Sequence, residues 1–194
     1  LMMAQAAQGE RNIPMVIHWL KEASHAYPQS AQPYAYLYQI YQQTGENELA
    51  VEMAEKWMSV DENNLDVRMW LIQNVYDPGR NWTKMADMAR QAINVAPLDV
   101  RTHRYRAFAL RKLKRYDEAV QSFEFVRRLA TGSTPEEAEQ AEVDALCDIA
   151  ATWMQAGENE KCKKALDEAK ALDPDNERVK TIQEELDGAA EEEE

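Results

Sequence analysis

Apolar residues recur at helical spacing in short blocks along the chain, and each block is closed by a turn-forming phrase. Tyr34, Leu37, Tyr38 and Tyr41 fall on one face of a first helix, Gly45 breaks the run, and Leu49, Met53 and Trp57 fall on one face of a second. The phrase after the second helix recurs as Tyr27-Pro28-Gln29-Ser30, Asp61-Glu62-Asn63-Asn64, Ala96-Pro97-Leu98-Asp99 and Asp173-Pro174-Asp175-Asn176. Gly-Glu-Asn-Glu likewise occurs at Gly45 to Glu48 and at Gly157 to Glu160. Pro28 to Glu62 spans 34 residues and Glu62 to Pro97 spans 35, while the interval to Pro174 holds two periods and an insertion of nine. A fixed period of this length predicts a stacked array of helix pairs, each burying its apolar face against its neighbours.

These positions resemble the tetratricopeptide repeat (TPR) family, whose pattern sets W-x-x-L-G-x-x-Y on the first helix, A-x-x-x-F on the second and proline at the end. The first full unit supplies Tyr34, Leu37, Tyr38 and Tyr41, then Ala50 and Ala54, with Glu62 where proline is usual. Tyr38 stands where the family has glycine and is expected to push its helices apart. The next unit supplies Met69, Ile72, Gln73 and Tyr76, then Met85, Ala89, Ala92 and Pro97. The third has His103, Arg106, Ala107 and Leu110, then Ala119 and Phe123; the last has Leu146, Ile149, Ala150 and Trp153, then Cys162, Leu166, Ala169 and Pro174. The resemblance implies an all-α, right-handed superhelical solenoid of antiparallel helix pairs.

One array is therefore expected over 1–187, with a partial repeat at 1–30 and repeats at about 31–64, 65–99, 100–133 and 134–176. Ile13, Val16, Trp19, Leu20 and Ala23 fit the second helix of a unit whose first helix is cut short. That end, near Leu1, Met2 and Met3, is expected to be open to self-association. Val179, Ile182 and Leu186 predict a C-terminal capping helix over 176–187, ended by Gly188, with 188–194 as a disordered acidic tail. The insertion carries its own signal. Thr134-Pro135-Glu136-Glu137 combines a capping hydroxyl, a first-turn proline and a carboxylate three residues after the cap. It predicts one long helix from Pro135 to about Ala156, roughly 33 Å at 1.5 Å per residue, whose first two turns project beyond its neighbours.

Charge narrows the function classes. The chain carries a net −13, yet residues 100–128 hold nine basic against three acidic residues, a local +6 that leaves −19 elsewhere. Carboxylates on that scale oppose nucleic-acid binding. No run is long enough to cross a membrane and the start lacks a signal-peptide pattern, which favours the cytoplasm and leaves the compartment unassigned. His18, His25 and His103 have no metal-ligand spacing, and there is neither a phosphate loop nor a nucleophile elbow. No catalytic residue, metal or cofactor is therefore expected. The Asp-rich phrases read as inter-repeat turns rather than calcium loops, and Asn81-Trp82-Thr83 as a chance glycosylation sequon. Cys147 and Cys162 read as a reduced structural pair, and Trp19, Trp57, Trp82 and Trp153 as packing residues.

Members of the resembled family hold partner segments on the concave face of their first helices. Beside the packing face here lie Gln32, Tyr36, Gln39 and Gln43 on one unit, and Asp66, Trp70, Gln73 and Asn74 on the next. Tyr36 and Trp70 are expected to give flat apolar contact, and Gln39 and Asn74 to bind main chain. The family's carboxylate clamp is not reproduced: Ala35 and Gln39 occupy its first-unit positions, and only Arg101 and Tyr105 keep part of its basic half. Arg101, Arg104 and Arg111 form one stripe with Tyr105 and Phe108 beside them, and their mutual repulsion points to an acidic or phosphorylated peptide. The expected role is a non-catalytic protein-binding scaffold. The alternatives are a domain of a larger, catalytic protein and a self-assembling scaffold.

Overall fold

The computed structural model describes residues 12–130, 132 and 134–191, and every regular element among them is a helix. Leu1, Met2, Met3 and the last three glutamates lie outside the described residues. The chain divides after Val75 into two compact units.

The first unit contains α1 (Ile13–Ala26), α2 (Ala31–Thr44), α3 (Asn47–Val60) and α4 (Leu65–Leu71). Leu20 of α1, Leu37 and Tyr41 of α2, Ala50, Met53 and Ala54 of α3, and Val67 and Leu71 of α4 are buried. The small Ala50 and Ala54, both fully buried, leave α2 and α3 room to pack closely. Tyr38 is also buried, its ring meeting Trp57 at 5.8 Å and Trp70 edge-on at 5.0 Å. The bulk it brings to a position usually held by glycine is taken up by this aromatic cluster. Burial pushes its phenol up to about 12, so it stays neutral.

Beyond Leu71, α4 continues as a π-helical turn over Ile72–Tyr76. Counting from the residue that opens the first helix to the left-handed residue that ends the pair's turn locates the cause. Ser30 to Gly45 and Asp99 to Lys114 are 15 residues apart, whereas Asn64 to Arg80 is 16. The π turn absorbs the extra residue, as single inserted residues in helices do. This corrects the register expected for the second repeat. Tyr34, Arg68 and His103 are equivalent, each reaching back to the preceding turn. The Tyr34 hydroxyl donates to the Pro28 carbonyl at 3.2 Å, Arg68 Nη2 donates to that of Glu62, and His103 Nε2 lies 2.7 Å from that of Pro97. Arg68 rather than Met69 thus matches Tyr34, Leu71 and Ile72 follow as core, and Gln73 is exposed.

The turns inside the helix pairs are built alike in both units. Gly45 and Gly157 take φ of 78° and 75°, and Arg80 and Lys114 occupy the same left-handed conformation at 51° and 59°. The next amide donates five residues back each time: Glu46 to Tyr41, Asn81 to Tyr76 and Arg115 to Leu110 at 2.9 Å, and Glu158 to Trp153 at 3.0 Å. That pairing satisfies carbonyls which the helix end leaves open.

The second unit contains α5 (Trp82–Val95), α6 (Val100–Lys112), α7 (Tyr116–Arg128), α8 (Pro135–Gln155), α9 (Asn159–Leu172) and α10 (Glu177–Glu191). The 21-residue α8 starts as its sequence requires, with the Thr134 hydroxyl accepting from the Glu137 amide at 3.2 Å and Pro135 in the first turn. Residues 135–142 bury nothing fully; the helix joins the core at Val143, with Leu146, Ile149, Phe123 and Leu166. Arg127 ties α7 to α8 and α9 through Glu142 at 3.0 Å and Glu168 at 2.7 Å. Cys147 and Cys162 are buried free thiols, and burial pushes Cys147 up to about 11.

Val179, Ile182 and Leu186 of α10 seat on this core, and the exposed side is charged. The helix does not end at Gly188 as expected but reaches Glu191. An interior glycine costs a helix only about 1 kcal/mol relative to alanine, and the residues that follow are the strong helix formers Ala189 and Ala190. Trp19, Trp57, Trp82 and Trp153 are all half-buried rather than fully enclosed.

Candidate functional site

Helical geometry places Arg101, Arg104, Tyr105, Phe108 and Arg111 of α6 on one side, since residues three, four and seven apart share a face. The fold completes this stripe into a cavity of about 450 Å³, walled in addition by Asp77, by Phe123 of α7 and by Asp148 of α8. Tyr105, Phe108 and Phe123 make much of the wall apolar.

The three guanidiniums are in different electrostatic states. Arg101 grips Asp99, the residue that opens α6, through Nε at 3.1 Å and Nη2 at 2.6 Å, and this holds the Asp99 carboxyl below its usual range. Arg104 Nη2 lies 3.5 Å from Asp148 Oδ2. The other oxygen of Asp148 takes Arg178 of α10 at 2.8 Å, and Arg178 also reaches Asp144 at 3.0 Å. The mutual repulsion expected of the stripe is therefore largely relieved from within, by Asp99 two residues before Arg101 and by Asp148, which lies 44 residues beyond Arg104 in the sequence.

Arg111 differs. No carboxylate among the described residues lies within ion-pairing distance of it, and its Nε is buried without a hydrogen-bond partner. Its guanidinium sits 5.5 Å from the Phe108 ring centre and 5.6 Å from that of Phe123, within cation–π range of both. Desolvation lowers its pKa, the Asp148 carboxylate opposing, but an arginine stays charged at any ordinary pH.

The other predicted residues lie in the first unit and are less convergent. Trp70 and Asn74 line a smaller cavity of about 310 Å³ with Gln42, Asn47, Val51 and Val75. Tyr36 and Gln39 are exposed on α2 and are not part of it. Trp70 is half-buried against Tyr38, and the Asn74 amide donates to the Trp70 carbonyl at 2.9 Å across the π turn. Sequence reasoning missed Asp148, Phe123 and Asp77 at the α6 cavity, and Gln42, Asn47 and Val51 here. Phe108 was legible from its spacing to Arg101 and Arg104. The described residues hold no cluster of His, Cys, Asp and Glu suited to a metal, and no helix long and apolar enough to cross a membrane.

No protein-family model matches the chain, and no curated protein does. Solved structures match it over nearly their whole length. The chain is similar to YrrB, described as a TPR protein with an unusual peptide-binding site, at 18% identity and a TM-score of 0.65, covering 93% of this chain and 88% of that one. It is similar to MamA of AMB-1 at 19% identity and a TM-score of 0.62, covering 90% of each chain, and to a further MamA structure at 13% identity and 0.57. With the helix pairs, the recurrent turns and the capping helix, these likenesses define an all-α TPR fold.

Proposed function

We propose that this chain is a non-catalytic protein-binding scaffold that holds a segment of a partner against the first helices of its repeats, with an acidic group of that segment at the α6 cavity. The observation that carries the reading is the convergence of Arg101, Arg104, Tyr105 and Arg111 with two phenylalanines around one cavity. An apolar concavity with a few oriented polar groups is the usual form of a ligand site. The likeness to a TPR protein with a peptide-binding site supports the same reading.

The test is capture of a partner on the immobilised chain, followed by affinity measurements with charge-reversal pairs. Arg104→Glu with Arg111→Glu should weaken binding far more than Arg90→Glu with Arg128→Glu, which changes the net charge equally at exposed positions. Arg127 is unsuitable as a control because its bridge joins three helices. Equal losses from the two pairs, or affinity that does not fall as salt rises, would remove the α6 cavity from the interface.

A further inference from the structure

The cavity's three arginines carry the same formal charge but are not equally available to a ligand. Arg101 is engaged by Asp99, and Arg104 faces an Asp148 that Arg178 holds in place. Of the three, only Arg111 combines a buried N–H that meets no acceptor with the absence of any carboxylate at ion-pairing distance among the described residues. Aromatic faces attract its charge but do not replace the in-plane acceptors that a guanidinium fork is shaped to meet. A buried donor without an acceptor carries a cost that a bound carboxylate would remove. Asp77 and Asp148 both line the cavity, so a second carboxylate entering beside the first would meet like charge.

Building on the peptide-holding reading above, we propose that the α6 cavity recognises a single carboxylate flanked by an aromatic or branched apolar side chain, not a run of acidic residues. The carboxylate pairs with Arg111, and the apolar neighbour packs on Tyr105, Phe108 and Phe123. At about 450 Å³ the space lies at the small end of the range for compact ligand sites, in keeping with one such pair of side chains. Asp148 then acts as a specificity determinant: it quenches Arg104 and repels additional acids.

The full chain would be titrated with three blocked peptides: Gly-Ser-Asp-Phe-Ser-Gly, its Asn-Phe counterpart, and Gly-Asp-Asp-Asp-Asp-Gly. Affinity is read by calorimetry, and the Arg111 Nε–H resonance by NMR. The Asp-Phe peptide should bind about tenfold or more tighter than either other peptide, and should shift the Nε–H signal. Arg111→Met should abolish that preference without lowering the melting temperature, and Arg111→Lys, which keeps the cation but not the fork, should lose most of it. Asp148→Asn should raise affinity for the tetra-aspartate peptide. The inference is overturned if tetra-aspartate binds tightest, if Arg101→Met and Arg104→Met cost as much as Arg111→Met, or if Arg111→Lys binds like the parent; the broader acidic-segment reading survives each of these. If none of the three peptides binds and a captured partner binds independently of salt, both readings fall.

Discussion

Helices α4 and α6 open successive repeats, and once the π turn is counted their positions correspond: Trp70 with Tyr105, Asn74 of the π turn with Phe108, and Asp77, just beyond that turn, with Arg111. The two faces use these positions differently. On α4 the Trp70 ring is engaged by Tyr38, the Asn74 amide donates to its own helix, and Arg68, whose Nε is also buried without a hydrogen bond, is held through Nη2 at the Glu62 carbonyl. On α6 the aromatic rings line open space and one cation lacks an acceptor. Under the proposed function, binding capacity follows what a face leaves unsatisfied rather than how many polar or aromatic groups it displays.

The sharpest way to break this comparison is through stability. Trp70→Ala removes a ring packed edge-on against Tyr38 and should destabilise the chain by about 2–3 kcal/mol, less than a fully buried tryptophan because Trp70 is half-exposed. Tyr36→Ala, at 42% exposure, should change stability by less than about 0.5 kcal/mol. Arg111→Met should have the opposite sign, raising stability by about 1 kcal/mol, because it replaces a desolvated, unpaired cation with an apolar chain that retains the arginine's unbranched stem. Chemical denaturation of the three variants separates these outcomes. A destabilised Arg111→Met would mean that the two faces are equally self-contained.

A pH scan probes the wall behind Asp148. Its neighbour in sequence, Cys147, is raised by burial from 9.0 to about 11, so the folded state favours the protonated thiol. Its contribution to stability should be complete below about pH 9 and should be lost as pH rises towards 11. At pH 8 both cysteines should resist alkylation until the chain unfolds. Labelling as fast as in a denatured control would show that this wall opens.

The smallest effects lie in the turns. Lys114 closes α6 in a left-handed conformation that glycine adopts without strain, so Lys114→Gly should stabilise by about 0.5–1 kcal/mol, as should Arg80→Gly beyond α4. Gly45→Ala should cost about 1 kcal/mol although nothing lies within 4 Å of the added carbon, because the penalty is conformational. Thermal melts of the four single variants, including Gly157→Ala, would check whether the turns are equivalent.

The repeat was legible because it rests on local chemistry: helical periodicity, left-handed glycines and capping residues act within a few positions of one another. The long α8 and the seat of α10 followed from the same signals. The one-residue slip in the second repeat was not legible, since a period of 35 does not say whether a helix or a turn absorbs the extra residue. Gly188 misled because a glycine stop signal is weak where alanines follow. At the site, the stripe of Arg101, Arg104, Tyr105 and Arg111 was readable from spacing on α6 alone. Its charge balance was not: Asp148 of α8 and Arg178 of α10, 44 and 74 residues beyond Arg104, are brought to it only by the packing of separate helices. Nor was it legible from spacing that Asn74 donates to the Trp70 carbonyl while Gln39 lies outside the cavity that Asn74 lines.

The central claim is that one guanidinium of α6 reads one acid of the ligand, and a double-mutant cycle tests it most directly. Affinity would be measured for the chain and for Arg111→Met, each against a captured partner segment and its acid-to-amide variant. A charge-assisted pair in a partly desolvated site predicts a coupling of about 1.5–3 kcal/mol, with the second change costing little once the first is made. Additive losses, with coupling below about 0.5 kcal/mol, would contradict the account and show that Arg111 and the acid do not meet.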